Sequence, residues 1–172
     1  MSSKLAAEIE AILDAGRDMT IATIHGLDGS PHATVVSFVS EGRRLYFGCS
    51  PTSQKARNLE QDPRIALTVT LPYRDWAEIR GLSAQGRAQR VPLGSEADAV
   101  ALLFARKFSE IAQYVGGVAG DIALFEVTLI TVAVLDYRQG FGHVTHVGPA
   151  MAATGFAASG SVAGPPAETH DV

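Results

Sequence analysis

The chain has 172 residues, 47% of them apolar and 19% charged, with a formal net charge of −4. That length suits one domain with a real core, and that charge provides no bulk positive field, so nucleic acid is not expected as a general partner. Cys49 is the single cysteine, which excludes an internal disulfide and a cysteine-based zinc site and fits a reducing cytoplasm, the expected location.

The N-terminal stretch MSSKLAAEIEAILDAG carries charges throughout and lacks an apolar signal core. The longest apolar stretch, Ile122 to Leu135, is interrupted by Glu126 and several threonines, so no membrane span is expected.

Leu5, Ile9, Ile12 and Leu13 recur at helical spacing and Gly16 follows, which predicts a helix over residues 3 to 15. Met19 to Ile24 reads as a strand, GLDGSP at 26–31 as a turn, and Ala33 to Val39 as a second, almost wholly apolar strand. Glu41-Gly42-Arg43 turns into a third, Leu45 to Cys49. Two hairpins so early point to an antiparallel sheet. Ser50-Pro51 is expected to start a short helix, with serine as cap and proline at the first helical position, and Asp62-Pro63 stops it near Gln61.

Arg64 to Leu71 is the fourth predicted strand. Residues 77 to 91 form the fifth, with Gly81 and Gly86 as bends or bulges. Gly94-Ser95-Glu96 opens a helix reaching about Phe108, with Val100, Leu103 and Phe104 facing inward. The break VGGVAGD follows, and Ile122 to Tyr137 is the last strand, apolar on both faces as in a barrel interior. Residues 150–172 are Ala-, Gly-, Ser- and Pro-rich and are expected to form a disordered tail behind a 1–149 domain. There is no internal repeat. The chain is therefore expected to be mainly β, with about six antiparallel strands closing into a barrel with peripheral helices, since closure removes exposed edges.

The strongest chemical feature is YFGCSPTSQKARNLEQDPRIAL, residues 46–67. A strand ends at Cys49 and a capped helix begins among Ser50, Pro51, Thr52 and Ser53, with Lys55 and Arg57 in its first two turns. Free N–H groups and the helix dipole attract phosphate to such a terminus, and Lys55 adds a point charge. An ordinary capped surface helix shows the same local pattern.

The order of the helix, then MTIATIHGLDGSPHATVVSFVSEGRRLYFGCSPTSQKARNLEQDPRIAL, then WAEIRGLSAQGRAQRV, resembles the FMN-binding split barrel of the pyridoxamine 5'-phosphate oxidase superfamily, across roughly residues 5 to 147. The resemblance implies a six-stranded antiparallel split β-barrel and a homodimer holding the cofactor at the subunit interface. It implies that the strand bearing His32, Thr34, Val35 and Ser37 lines the isoalloxazine and ribityl chain, and that Gly48, Cys49 and Ser50 continue the pocket beside Ser53. The family's basic phosphate-gripping pair falls on Gln54-Lys55, so Lys55 remains as anchor, with Arg57 and Arg64 nearby to compensate for the missing arginine. Branches of the family bind deazaflavin F420 or haem instead of FMN.

The implied function is an FMN-dependent oxidoreductase passing hydride between the flavin and a small substrate. The alternatives are an F420-dependent reductase or a non-catalytic flavin- or haem-binding protein. True pyridoxamine-phosphate oxidases end in a further Arg–Leu–His-type segment. Here GFGHVTHVGP and the weak tail stand in its place, so vitamin B6 chemistry is not expected.

Trp76 begins DWAEIRGLSAQG, and by the resemblance this strand reaches the flavin held mainly by the partner subunit. Trp76 would cover the ring and Arg80 or Ser83 would donate to it, or Trp76 would plug the barrel end or dimer seam. In DYRQGFGH, residues 136–143, Phe141 is a candidate for stacking and His143 for a hydrogen bond or an acid role, unless the stretch is only a Gly-rich exit loop. His143 and His146 have no local carboxylate or cysteine partner, so no metal is expected; under the haem reading His32, His143 or His146 is the axial candidate. Cys49 reads as a packed thiol, and Glu60 and Asp62 as solvated charges. No catalytic residue is identified.

Overall fold

The computed structural model describes residues 3–110 and 122–148. The break at 115–121 and the tail at 150–172 lie outside the described residues. In order the elements are α1 (Ser3–Ala15), β1 (Asp18–Ile24), β2 (Pro31–Glu41), β3 (Arg44–Cys49), α2 (Gln54–Gln61), β4 (Arg64–Thr70), β5 (Arg80–Arg90), α3 (Ser95–Lys107), β6 (Ala123–Asp136) and β7 (Val144–Val147). Short 3-10 turns occur at Trp76–Glu78 and Tyr137–Gln139.

Every strand pair is antiparallel. The strands run β3-β2-β1-β4-β5-β6-β7, and β3 also pairs with the first half of β6. That pairing closes a six-stranded barrel, and β7 extends the sheet from the second half of β6, opposite Val132–Leu135. The expected barrel is confirmed, with β7 as an unforeseen seventh strand.

Period-2 alternation fills the interior. Met19 and Ile21 of β1, Phe38 of β2, Phe47 of β3, Ile65 and Val69 of β4, Leu82 of β5 and Phe125 of β6 share one core. Phe47 and Phe125 stack with ring centroids 5.4 Å apart. Ile9, Ile12 and Leu13 of α1 and Ala56 and Leu59 of α2 belong to the same core. A second cluster packs Val100, Phe104 and Phe108 against Val39, Tyr46 and Val91. This explains why β6 begins apolar on both faces: its inner side chains fill the barrel, while Leu124 packs into the cluster under α3. Lys107 ties α3 to α1, its Nζ donating to the Leu13 carbonyl and lying 4.2 Å from the centre of the Phe38 ring.

Three details correct the expectations. The α2 helix is capped by Ser53, not by Ser50 with Pro51 at the first position: Ser53 Oγ accepts from the Ala56 N–H, and Pro51 lies in the preceding turn. Ala77 and Glu78, expected at the start of the fifth strand, lie with Trp76 in a 3-10 turn before β5. Gly86 does mark a bulge, since β6 supplies Ile130 as an extra residue between Gln85↔Thr131 and Gly86↔Leu129. Gly81 instead marks a close approach, where a Cβ would overlap the Val69 carbonyl oxygen.

Candidate functional site

The barrel wall splits between β2 and β3. These strands pair only from Phe38↔Phe47 to Glu41↔Arg44, while β2 continues back to Pro31 paired on its other side with β1. Pro31–Ser37 therefore has one edge without a strand partner among the described residues. An edge of this kind offers backbone donors and acceptors to a ligand or another chain. The end of β3 leaves β2 here, and the chain runs through Ser50 into α2.

The strand period sorts the predicted β2 residues onto two faces. His32 and Thr34 stand opposite the buried Thr23 and Ile21 and share the inner face. Val35 and Ser37 lie on the outer face, opposite Thr20 and Asp18. Val35 is 66% exposed, a large apolar cost on a solvated face. Ser37 Oγ donates to Asp18 Oδ1 at 2.6 Å. Thr34 Oγ1 donates to the Val35 carbonyl at 3.2 Å. His32 Nδ1 is buried and has no hydrogen-bond partner among the described residues, an arrangement that buried polar atoms rarely keep.

The second half of the site is the start of α2. Ser50 Oγ and Thr52 Oγ1 lie 3.0 Å apart on the surface, and the Thr52 N–H donates to Ser50 Oγ. Arg57 turns back onto the Thr52 carbonyl and Gln54 Oε1, so its guanidinium braces the turn. Lys55 lies in the first helical turn and makes no ion pair or hydrogen bond among the described residues. Arg64 is occupied by Asp62, its Nε lying 3.0 Å from both carboxylate oxygens. Gly48 and Cys49 are half-buried, Cys49 packing against the core and Gly48 facing Ile122 and Leu124.

Two residues that sequence reasoning missed join these halves. Gln54 Nε2 donates to Asn58 Oδ1 at 2.7 Å, Asn58 Nδ2 donates to Thr23 Oγ1 at 2.9 Å, and Thr23 Oγ1 donates to the His32 carbonyl at 3.4 Å. Asn58 and Thr23 are fully buried, so the relay fixes α2 against the start of β2 without water. The available signal was a threonine at the inward position that follows Met19 and Ile21.

The remaining predicted residues lie elsewhere. Arg80 donates to Glu8 of α1 at 2.7 Å, and Arg138 joins Glu8 at 3.3 Å. Arg138 also holds the buried Asp136, whose carboxyl is kept well below the usual carboxylate range by that guanidinium, with Gln139 assisting. Trp76 stacks on Phe141 at 5.8 Å, and Phe141 meets Tyr137 at 5.4 Å. Trp76 and Phe141 are exposed. His143 Nε2 lies 3.2 Å from Thr145 Oγ1.

The outer faces of β1, β4, β5, β6 and β7 form an open groove of about 730 Å³, floored by small residues such as Ala22, Ala66, Thr68 and Ser83, with His146 on its side. No group of three or more His, Cys, Asp or Glu residues is placed to hold a metal among the described residues. No helix among them is long and apolar enough to cross a membrane.

The family pattern of pyridoxamine 5'-phosphate oxidase matches residues 5–136, which takes in the whole split and the α2 start. The chain belongs to the pyridoxamine 5'-phosphate oxidase family. No curated protein matches its sequence. Among solved structures, this family member is similar to the conserved hypothetical protein Rv2991 of Mycobacterium tuberculosis, with 26% identity over 88% of this chain and 95% of that one and a TM-score of 0.70. It shares the fold of a heme binding protein from Mycobacterium smegmatis, at 21% identity, 86% and 59% coverage and a TM-score of 0.71. It also shares the fold of HutZ, the heme storage protein from Vibrio cholerae, at 21% identity, 72% and 88% coverage and a TM-score of 0.61.

Proposed function

We propose that this family member binds FMN in the split between β2 and β3, as a homodimer with the cofactor at the subunit interface, and serves as an oxidoreductase for a small substrate. The observation that carries this reading is Lys55, without a partner among the described residues, in the capped first turn of α2, which follows the turn bearing the Ser50 and Thr52 hydroxyls. A dianionic phosphate needs such a counter-charge and such donors. His32 Nδ1 and the edge of β2, both without a partner among the described residues, would supply further polar groups for the ring and ribityl hydroxyls. When bound, the flavin supplies hydride transfer. The protein's own residues hold the phosphate, present a polar strand edge and position α2 through Asn58 and Thr23. The exposed Val35 supports a second copy as the cover that excludes water.

Haem is the second reading. It is favoured by His146, whose imidazole lines the groove without a hydrogen-bond partner among the described residues, and by relatives that bind or store heme. The ultraviolet–visible spectrum of protein purified without added cofactor tests both. Two flavin bands near their free positions are expected. A Soret band supports the haem reading, and a single deazaflavin band contradicts both.

A further inference from the structure

The open groove ends, on the same face of the sheet, in two arginines. Arg64 of β4 and Arg87 of β5 are directly opposed partners, two residues along from the groove-lining pair Ala66↔Gln85. Both are exposed. Like charges directly opposite across two strands repel, so the arrangement is unfavourable unless an anion lies between them. The protein supplies one anion. Asp62 takes Arg64 through both oxygens, and its carboxyl is lowered to about 2, chiefly by that guanidinium. Arg87 makes no hydrogen bond or ion pair among the described residues, and its charge acts on the same Asp62 carboxyl, so one carboxylate serves both arginines. The next cation on β5, Arg90, is matched by Glu60 at 3.1 Å. Two arginines on this face thus share one carboxylate, a local positive excess in a chain whose net charge is −4. Beside the pair, the groove floor offers Gln85, Ser83 and Thr68 as neutral hydrogen-bonding groups.

We propose that Arg87, with Arg64 behind it, is an anion subsite that receives the carboxylate or phosphate of a small ligand lying along this groove. Arginine suits the role because its planar fork binds such oxyanions through two parallel bonds. Arg64 follows the C-terminal end of α2, whereas the cofactor phosphate is proposed at its N-terminal turn, so the subsite does not depend on which cofactor the split holds. If the proposed function is right, the subsite makes the substrate an anion.

The test uses the intact protein and inorganic phosphate as probe, with sodium chloride at matched ionic strength to remove general screening. Phosphate is expected to raise the melting temperature beyond the chloride control, Arg87→Gln to abolish that rise, and Lys55→Ala to leave it in place. A rise that survives in Arg87→Gln, or that is lost only in Lys55→Ala, overturns the proposal. Arg87→Gln is expected to leave FMN and riboflavin affinities unchanged. A selective loss of FMN affinity assigns Arg87 to the cofactor phosphate, and dissociation into monomers assigns it to a carboxylate of the second copy. Either result overturns the subsite without touching the reading of the split.

Discussion

At Gly86 the backbone of β5 passes so close to β6 that a Cβ would lie 2.5 Å from the Thr128 carbonyl oxygen. The neighbour is backbone, so it cannot move aside cheaply. Gly86→Ala is expected to destabilise the protein by about 1–3 kcal/mol, read as a fall in urea midpoint without a change in slope. The glycine was legible in the sequence as a bend or bulge. The carbonyl it accommodates was not, because that contact spans two strands distant in the chain. Asp136 shows the same limit: the sequence places it only at the end of the last strand, and its burial on Arg138 and Gln139 comes from the fold. Its acidity is increased by folding, so its contribution is fully present above the unfolded value of about 3.9 and is lost as pH falls through the lower folded value. Asp28, held by Ser30 and His25, and Asp62, held by Arg64, are lowered to about 2 and act in the same direction. Asp136→Asn is expected to cost about 1–3 kcal/mol at pH 7 and to reduce the loss of stability between pH 4 and pH 2. Denaturation curves across that range check the sign, and an unchanged acid limb contradicts it.

At the scale of elements, α2 illustrates what local rules resolve. Ser50-Pro51 and Ser53 both make good helix starts, and sequence preference does not rank them. The fold chooses Ser53 because the turn through Ser50 and Thr52 must first carry the chain around the end of β3. The helix is then held by Ala56 and Leu59 in the core and by Asn58 on Thr23. Asn58→Ala removes the donor to a fully buried hydroxyl and is expected to cost about 1–3 kcal/mol. Because Asn58 also accepts from Gln54, the same change is expected to weaken FMN and riboflavin alike by loosening the split. Calorimetric titration of both ligands checks this, and undiminished binding would show that the relay is purely structural. The strand β7 escaped the sequence because VTHV is only four residues long, too short for alternation to be read. The fifth strand was expected from residue 77, but Asp75 caps a 3-10 turn there by accepting from the Ala77 N–H, and β5 begins only at Arg80.

For the whole molecule, the barrel was legible because hairpins and alternating strands are local patterns, and because the resemblance extends over most of the chain. The split was legible only through the resemblance. It depends on where β2 stops pairing with β3, a long-range choice fixed by β3 joining β6. The proposed homodimer is measured at this same scale. Light scattering at micromolar concentration is expected to give a dimer, and a stable monomer contradicts the shared site.

The proposal that the split holds FMN by its phosphate is tested most directly by titrating FMN and riboflavin in parallel into the wild-type protein and Lys55→Ala. Lys55 is a half-buried surface residue without a partner among the described residues, so the variant is expected to fold normally. The expected result is an FMN affinity lowered by about tenfold to a hundredfold, or roughly 1.5–3 kcal/mol, with riboflavin binding unchanged. Equal losses for the two ligands, or an FMN affinity that does not move, would contradict the assignment of Lys55 as the phosphate anchor.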